Sequence, residues 1–255
     1  MRACIITIGN EILKGKTVNT NAAEIGRMLS FSGYEVFRGM IVPDIKEEIG
    51  EAFRTLVGRC DVIVSSGGLG PTFDDITVSS FALEFGIPIV RDEETYRIIQ
   101  RRSRERGLEI TPEREKMAMI PSGCTVIKNN IGTAPGVDCR IGNTRVFILP
   151  GVPLEMRSML GYIEERIKLG DSFYYEDSIR VEGIYEATLA PYITELMKKY
   201  EGKVYIKSHP MIDENGESEL EIEVSAKSSK LDASRNLVHE VLGDIREVSA
   251  KILKT

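Results

Sequence analysis

Two adjacent aspartates, Asp74 and Asp75, closely follow a glycine-rich segment that contains Gly67, Gly68 and Gly70. Glycines allow a backbone to come close to an anion, and free backbone N–H groups can then bind it. Carboxylates next to a phosphate repel it unless a cation lies between them. We therefore expect this segment to hold a phosphate or diphosphate that is bridged to a divalent metal.

Two simpler interpretations of this segment stay open. In the first, the aspartates only complement the dipole of a following helix, which stabilises a helix by a few tenths of a kcal/mol to about 1 kcal/mol. In the second, the glycines form a plain tight turn. The segment is not a P-loop, because no Lys follows the second glycine. It is not the dinucleotide-binding fingerprint either, because Phe73 stands where the third glycine belongs.

Alternating strands and helices are predicted around the glycine segment. The apolar run at residues 62–64 precedes the glycines, and a helical pattern follows and ends at Gly86. Residues 3–8 form another short apolar run, residues 34–42 predict a second strand, and helical spacing follows each of them. Three such β-α units predict a doubly wound, mostly parallel sheet with helices on both faces. Ligands bind to such sheets beyond the carboxyl ends of the strands.

Two further acids, Glu11 and Asp44, come directly after predicted strands at this edge. Glu11 is a candidate metal ligand or base, and its alternative is a solvated turn carboxylate. Asp44 is also expected to be the N-cap of the next helix, a role that is compatible with ligand binding. The sequence contains two histidines, so acid–base and metal chemistry would depend on carboxylates, which suit Mg²⁺ or Mn²⁺.

Two more loops carry glycine and proline, at residues 129–136 and 150–153. The second of these precedes a predicted helix with Glu155 in its first turn. Glycine loops at helix starts would hold the two phosphates of a diphosphate. Glu155 would then contact a metal or a ribose, or would simply be a first-turn acid. Residues 92–106 are rich in Arg and Glu and predict a solvated helix, with phosphate contact by Arg101, Arg102 or Arg104 as the alternative.

The pattern changes near Gly170. Residues 178–182, 204–207 and 220–226 predict strands, while residues 186–200 and 232–254 predict helices. This β-α-β-β-α series is typical of a small α+β unit with its own core. We therefore place one domain at residues 1–170 and another at residues 171–255.

Composition restricts the partners and the compartment. A net charge of −6, with 42% hydrophobic and 28% charged residues, argues against a general nucleic-acid or membrane binder. The four cysteines lack CxxC spacing, so we expect neither structural zinc nor disulfides but reduced thiols in the cytoplasm. No signal peptide and no apolar run of the ~18 residues that span a bilayer is present.

Residues 67–77, GGLGPTFDDIT, resemble a motif of the CinA family, whose N-terminal domain is similar to the molybdopterin-binding MoaB/MogA domain. The stretches IGNEILKGKTVNTNA (8–22), VPD (42–44), NNIGTAPG (129–136) and LPGVPLEM (149–156) occur in the same order in that family. The resemblance is strong over about the first two-thirds of the chain. It implies a three-layer α/β/α domain with a mostly parallel sheet, followed by a small α+β, KH-like domain.

The resemblance implies a metal-dependent pyrophosphohydrolase, which uses Mg²⁺, Mn²⁺ or Co²⁺ to split ADP-ribose into AMP and ribose 5-phosphate. Two alternatives are molybdopterin binding or adenylation, and a nucleotide sensor or scaffold without turnover. Asp44 and Asp75 match acidic positions of the MoaB/MogA pattern, so they rank above Asp74 and Glu11. The predicted catalytic residues are Asp75, Asp44 and Glu11, the metal ligands are Asp44, Asp74 and Asp75, and the substrate contacts are Asn21, Gly67, Gly68, Leu69, Gly70, Pro71, Thr72, Gly132, Thr133, Gly151, Pro153 and Glu155.

The resemblance also implies a homodimer with a small nucleotide or pterin phosphate as its partner. RNA-binding KH domains need a GxxG loop, which the C-terminal region lacks, so we expect a packing or dimerising role there and no nucleic-acid partner. Asn19 stands where the family often has Asp, which puts little in doubt because Asn21 is retained. Many CinA proteins continue into a deamidase domain. This sequence ends at Thr255, so we expect no amidase activity.

Overall fold

Two units with separate hydrophobic cores make up the described part of the chain. A computed structural model describes residues 1–169, 173–200, 202–212 and 218–253. The first unit contains residues 1–30 and 34–168, and the second contains residues 31–33 and the described residues from 169 onward. The boundary that we predicted at Gly170 and Asp171 lies outside the described residues, so the domain limits stay a prediction.

Strands and helices alternate along residues 2–84 of the first unit, as the three β-α patterns predict. A single helical turn after the first strand and a strand near residue 120 were not predicted. The elements are β1 (Arg2–Ile8), α1 (Asn10–Leu13), α2 (Thr20–Phe31), β2 (Glu35–Val42), α3 (Lys46–Leu56), β3 (Val62–Ser66), α4 (Thr77–Glu84), β4 (Ile89–Arg91), α5 (Glu93–Glu105), α6 (Pro112–Lys116), β5 (Met119–Pro121), β6 (Thr125–Ile127), β7 (Gly136–Ile141), β8 (Thr144–Leu149) and α7 (Pro153–Ile167).

The main sheet has the strand order β2-β1-β3-β8-β7-β6. The pairs β2–β1, β1–β3 and β3–β8 are parallel, whereas β7 runs antiparallel to both of its neighbours. Strands β4 and β5 form a separate antiparallel pair. The predicted α/β fold with a mostly parallel sheet is therefore confirmed.

Helices cover both faces of the main sheet. Successive side chains of a strand point to opposite faces, so Ile5 and Ile6 of β1 lie on different faces. Ile6 belongs to the core cluster that contains Phe53 of α3 and Phe81 of α4, whose ring centroids are 5.0 Å apart. On the other face, Gly26 of α2 comes so close to Ile5 that an added methyl group would lie 3.6 Å from Ile5 Cδ1. The sheet thus positions its loops from within a three-layer structure.

The expectation of reduced thiols is wrong for this structure. Cys4 is bonded to Cys60, with Cα atoms 6.2 Å apart, and Cys124 is bonded to Cys139, with Cα atoms 4.6 Å apart. The physical reason is strand pairing: β1 lies next to β3, and β6 lies next to β7. Disulfides occur in oxidising compartments and also inside hyperthermophilic archaea, so they leave the compartment open.

The second unit has the predicted β-α-β-β-α order. Its antiparallel sheet has the strand order β10-β11-β9, and alternate residues of its central strand are fully buried beneath the last helix. That helix spans 22 residues, yet no helix within the described ranges is both long and apolar enough to cross a membrane. The elements are β9 (Phe173–Glu182), α8 (Glu186–Lys199), β10 (Val204–Ile212), β11 (Ser218–Ser228) and α9 (Leu231–Ile252).

Candidate functional site

A cavity of about 750 Å³ opens at the carboxyl ends of the parallel strands of the first unit. Thr7, Ser66 and Leu149 are register neighbours at the ends of β1, β3 and β8, so the loops that follow these strands meet there. This is the edge at which open α/β sheets bind ligands. Of the predicted site residues, the cavity is lined by Glu11, Asp44, Gly67, Gly68, Leu69, Gly70, Pro71, Thr72, Asp74, Asp75, Gly132, Thr133, Gly151 and Glu155.

The turn after β3 requires glycine for two reasons. Gly67 and Gly68 have φ angles of 112° and 68°, which disfavour any other residue. A methyl group on Gly67 would also lie 2.1 Å from the carbonyl oxygen of Ile8, and one on Gly68 would lie 2.2 Å from Thr77 Oγ1. A methyl group on Gly151 would lie 3.3 Å from Gly67 Cα. The loops after β1, β3 and β8 therefore approach each other backbone to backbone.

Gly68, Leu69 and Gly70 line the cavity, and their backbone N–H groups have no acceptor among the described residues. Consecutive free N–H groups in such a turn form a concave anion site. The first turn of α4, which we expected to point at the anion, does not line this cavity, because α4 begins at Thr77 and its residues Val78 and Ser79 line a separate small cavity. The N–H groups without an acceptor at this edge therefore belong to the loop and not to the helix.

Asp74 and Asp75 converge on Thr72. The hydroxyl group of Thr72 contacts Asp74 Oδ1 and lies 2.6 Å from Asp75 Oδ2, which also accepts from the Thr72 N–H at 2.9 Å. The Thr72 hydroxyl lowers the pKa of Asp74, so this carboxyl is ionised at neutral pH. Lys116 of α6 donates to the carbonyl oxygens of Thr72 and Asp75 at 2.6 and 3.0 Å. The acidic loop is thus closed on itself and attached to α6.

Asp44 does not cap α3, contrary to our expectation. Helix α3 begins at Lys46 and Ile45 is its N-cap, whereas Asp44 Oδ2 accepts the N–H of Asn10 at 2.8 Å. Asn10 lies in the first turn of α1, which follows β1, the strand next to β2. The Asp44 carboxylate therefore binds the start of α1 and does not cap α3. Burial raises the pKa of Asp44, the hydrogen bond from Asn10 opposes this, and the charges of Glu11, Asp74 and Asp75 raise the pKa further. Glu11, Asp74 and Asp75 therefore lie close enough for their charges to act on Asp44.

Glu155 is held by the second glycine loop. Asn129 Nδ2 donates to Glu155 Oε2 at 2.7 Å and to the carbonyl oxygen of Ala134 at 2.8 Å. Asn129 Oδ1 accepts from the N–H groups of Ile131 and Gly132. This side chain explains the length of the loop, which has its own internal scaffold and places Glu155 in the cavity wall.

Arginine side chains form part of the cavity wall, and the sequence patterns indicated some of them but not others. Arg102 lines the cavity, as one of our alternatives proposed, while Arg101 and Arg104 do not. Arg106 and Arg114 also line it and were missed. Arg102 and Arg106 are four residues apart, which is the spacing of one helix face, but Arg106 follows the end of α5 and Arg114 lies in the short α6.

Asn21 and Pro153 lie outside the main cavity. They line a neighbouring chamber of about 80 Å³, whose wall includes Ile8, Glu11 and Gly151 in common with the main cavity. Ser66, which closes β3, also lines the chamber and was not predicted. Asn21 Nδ2 donates to the carbonyl oxygen of Gly151 at 2.9 Å.

The arrangement of the carboxylates limits the kind of metal site that they can form. No three His, Cys, Asp or Glu side chains within the described ranges converge as a complete metal cage requires. Mg²⁺ is commonly held by one or two carboxylates together with substrate phosphates. Asp74 and Asp75, which meet at the Thr72 hydroxyl, supply such a pair of oxygen donors. The residues therefore fit a metal that is shared with a bound phosphate.

Comparison with known proteins identifies the first unit. Residues 4–168 match a family described as "Probable molybdopterin binding domain". The chain belongs to this molybdopterin-binding domain family. The match covers the sheet and the loops that line the cavity, so the MoaB/MogA-like resemblance is confirmed.

Relatives of this molybdopterin-binding domain protein extend over both units. A protein of Thermoplasma volcanium is 46% identical over 98% of this chain and 97% of its own length, and one of Thermoplasma acidophilum is 45% identical over 98% and 96%. The solved structure of a CinA protein with unknown function from Thermoplasma acidophilum is 51% identical. It covers 65% of this chain and 97% of its own, with a TM-score of 0.61. The resemblance to CinA is confirmed.

Proposed function

We propose that the protein binds a pterin that carries a phosphate, a ligand of the molybdopterin class, in the main cavity. The observation that carries the proposal is the row of acceptor-free N–H groups at Gly68, Leu69 and Gly70 in the wall of a large cavity. Membership of a molybdopterin-binding domain family supports the ligand class. The phosphate would accept hydrogen bonds from these N–H groups, which lose their water when the ligand binds.

The opposite parts of the wall suit the rest of such a ligand. Arg106 makes no hydrogen bond or ion pair with another described side chain and is available for an anionic group. Leu108, Ile131 and Val152 are apolar side chains that are 44%, 54% and 53% exposed, and all three line the cavity. Exposed apolar side chains around a few polar groups are typical of a small-molecule site. They would cover the flat ring of the ligand.

Calorimetric titration with 6-hydroxymethylpterin phosphate and with 6-hydroxymethylpterin tests this proposal. We expect the phosphorylated compound to bind more tightly. Arg106→Gln should weaken that binding about 10- to 100-fold, as for a hydrogen bond to a charged group. Arg104→Gln is the matched control, because Arg104 lies two residues before Arg106 and does not line the cavity. Equal binding of the two compounds, or equal effects of the two variants, would contradict the proposal.

The acidic cluster favours a second candidate function, hydrolysis of a nucleotide diphosphate sugar such as ADP-ribose. The charges of Glu11, Asp74 and Asp75 all act on Asp44 at the edge where a diphosphate would lie. A divalent ion would supply charge neutralisation and a polarised water molecule. Asp75 and Asp74 would hold the ion, and Asp44 or Glu11 would accept the proton of the attacking water. The second candidate also includes a cytoplasmic homodimer, as the CinA resemblance implies.

Release of AMP from ADP-ribose in the presence of Mg²⁺, Mn²⁺ or Co²⁺ distinguishes the two candidates. Hydrolysis predicts turnover that Asp75→Asn abolishes while the circular dichroism spectrum stays unchanged. Binding of 6-hydroxymethylpterin phosphate without hydrolysis of ADP-ribose supports the first candidate alone. Full activity of the Asp75→Asn variant would remove this residue from the mechanism.

A further inference from the structure

The small chamber next to the main cavity contains two polar residues with unused hydrogen-bonding atoms. Asn21 Oδ1 and Ser66 Oγ are buried and have no partner among the described residues. Asn21 is 7% exposed and Ser66 is 1% exposed, and both line the chamber. A buried polar atom without a partner is unfavourable for folding. Two such residues at one chamber therefore indicate a role other than stability.

The orientation of Asn21 determines what the chamber can recognise. The carbonyl oxygen of Gly151 can only accept a hydrogen bond, so the atom of Asn21 that lies 2.9 Å from it must be the nitrogen. The free atom is therefore the oxygen, which is an acceptor. Ser66 Oγ can accept or donate, and the carboxylate of Glu11 forms part of the same wall. The chamber is thus rich in acceptors and selects a donor.

The size and position of the chamber limit the donor to one part of a larger ligand. A volume of about 80 Å³ is two to three times the ~30 Å³ share of one water molecule in the liquid, so a substituent fits and a ring system does not. Ile8, Glu11 and Gly151 line both this chamber and the main cavity. A ligand in the main cavity can therefore extend a substituent into the chamber.

We propose that this chamber is a specificity subsite, in which Asn21 Oδ1 and Ser66 Oγ bind a hydroxyl or amino group of the small molecule in the main cavity. The inference rests on the proposed function and deepens it, because it assigns discrimination between ligands to Asn21 and Ser66, which lie outside the proposed phosphate contacts at Gly68, Leu69 and Gly70. The two sources of such a donor are the exocyclic amine of a pterin and a hydroxyl group of a ribose.

Two pairs of compounds separate these sources. 6-Hydroxymethylpterin phosphate and the corresponding lumazine phosphate differ in whether an amine or an oxygen is attached to the ring. Ribose 5-phosphate and 2-deoxyribose 5-phosphate differ in one hydroxyl group. In one of the pairs, we expect the unaltered protein to bind the member with the donor about 3- to 10-fold more tightly, as for one net hydrogen bond. Ser66→Ala should reduce this ratio towards one and leave the affinity for the other member unchanged.

Ser65→Ala is the matched control. Ser65 is adjacent and fully buried, but its hydroxyl group donates to the carbonyl oxygen of Phe147 at 3.3 Å, on the opposite face of β3. Ser65→Ala should lower the melting temperature and keep the binding ratio. Ser66→Ala should not lower the melting temperature, because it removes a hydroxyl group that has no partner.

Each outcome decides the inference. Equal affinities within both pairs for the unaltered protein overturn it, and so does a ratio that Ser66→Ala leaves intact, which is the result expected if the chamber holds only water. If none of the four compounds binds, the proposed function fails and this inference fails with it. Phosphate-dependent binding without discrimination removes the inference alone.

Discussion

The substitution Gly68→Ala tests whether the turn after β3 is shaped by the contact with Thr77. Gly68 has a φ angle of 68°, and a residue with a side chain in this region costs about 1–2 kcal/mol. The added methyl group would lie 2.2 Å from Thr77 Oγ1 and would displace it from the carbonyl oxygen of Gly67, to which it donates at 2.9 Å. Because Thr77 is fully buried, loss of that bond costs about 1–3 kcal/mol more.

Gly86→Ala provides the reference for the backbone term alone. Gly86 has a φ angle of 63°, and no atom lies within 4 Å of a methyl group placed there. We therefore expect Gly86→Ala to lower the free energy of unfolding by about 1–2 kcal/mol and Gly68→Ala to lower it by about 2–5 kcal/mol. Urea titration followed by circular dichroism measures both values, provided that the m-value does not change.

A second substitution shows whether the clash is the cause. In a Thr77→Ala background the hydroxyl group is gone, so Gly68→Ala should cost no more than Gly86→Ala, and the two effects should not add. Gly68→Ala should also abolish the binding of 6-hydroxymethylpterin phosphate, whereas Gly86→Ala should preserve it. Equal destabilisation by the two glycine substitutions, or additivity with Thr77→Ala, would refute the reasoning.

Three other perturbations have defined outcomes. The folded state raises the pKa of Asp44, so its stabilising contribution is complete below the ordinary value near 3.9 and is lost as the pH rises through the raised value. Asp44→Asn should therefore increase the free energy of unfolding at pH 7 by a few tenths to about 1 kcal/mol and not at pH 3. Asp138 is 8% exposed and binds Arg145 at 3.0 and 2.7 Å. Asp138→Asn should cost about 2–3 kcal/mol, less than a fully buried pair, because the Arg145 side chain is 24% exposed. Cys139→Ser, which opens the bond to Cys124 across a separation of 15 residues, should cost about 3 kcal/mol and lower the melting temperature by about 6–12 °C.

For each of these three predictions, a specific result would contradict the physical reason that we give. A stability gain from Asp44→Asn that is equal at both pH values would exclude ionisation as its source. An Asp138→Asn variant as stable as the unaltered protein would show that Arg145 is compensated by solvent. If a reducing agent leaves the melting temperature of the unaltered protein unchanged and Cys139→Ser lowers it, the serine acts through packing and not through the bond.

Local patterns predicted the parts of the site that depend on a strand and the loop after it. Glu11, Asp44 and Asp75 each follow a strand within about ten residues, and a parallel sheet brings such loops together at one edge. The same logic placed the loop that contains Gly132 and the turn at Gly151 in the cavity wall. The glycine content alone did not show that the N–H groups without an acceptor belong to the loop after β3 and not to the first turn of α4.

Features that depend on contacts between distant segments were not predictable. Cys4 and Cys60 meet because β1 pairs with β3, and no spacing rule in the sequence expresses that pairing. Arg106 follows a helix that we predicted to be solvated but that buries Ile99, so its place in the cavity wall depends on tertiary packing. Ser66 looks like any polar residue at a strand end, and its lack of a partner is visible only in three dimensions.

The close contact between Gly67, Gly151 and the carbonyl oxygen of Ile8 has a consequence for engineering the protein. Since backbone atoms of these loops contact each other directly there, the spacing of this side of the cavity is insensitive to most side-chain replacements elsewhere. The opposite wall consists of side chains such as Arg106 and Leu108. The side chains of that wall can therefore be exchanged to change the shape and charge of the cavity, while the side formed by the glycine loops keeps its dimensions.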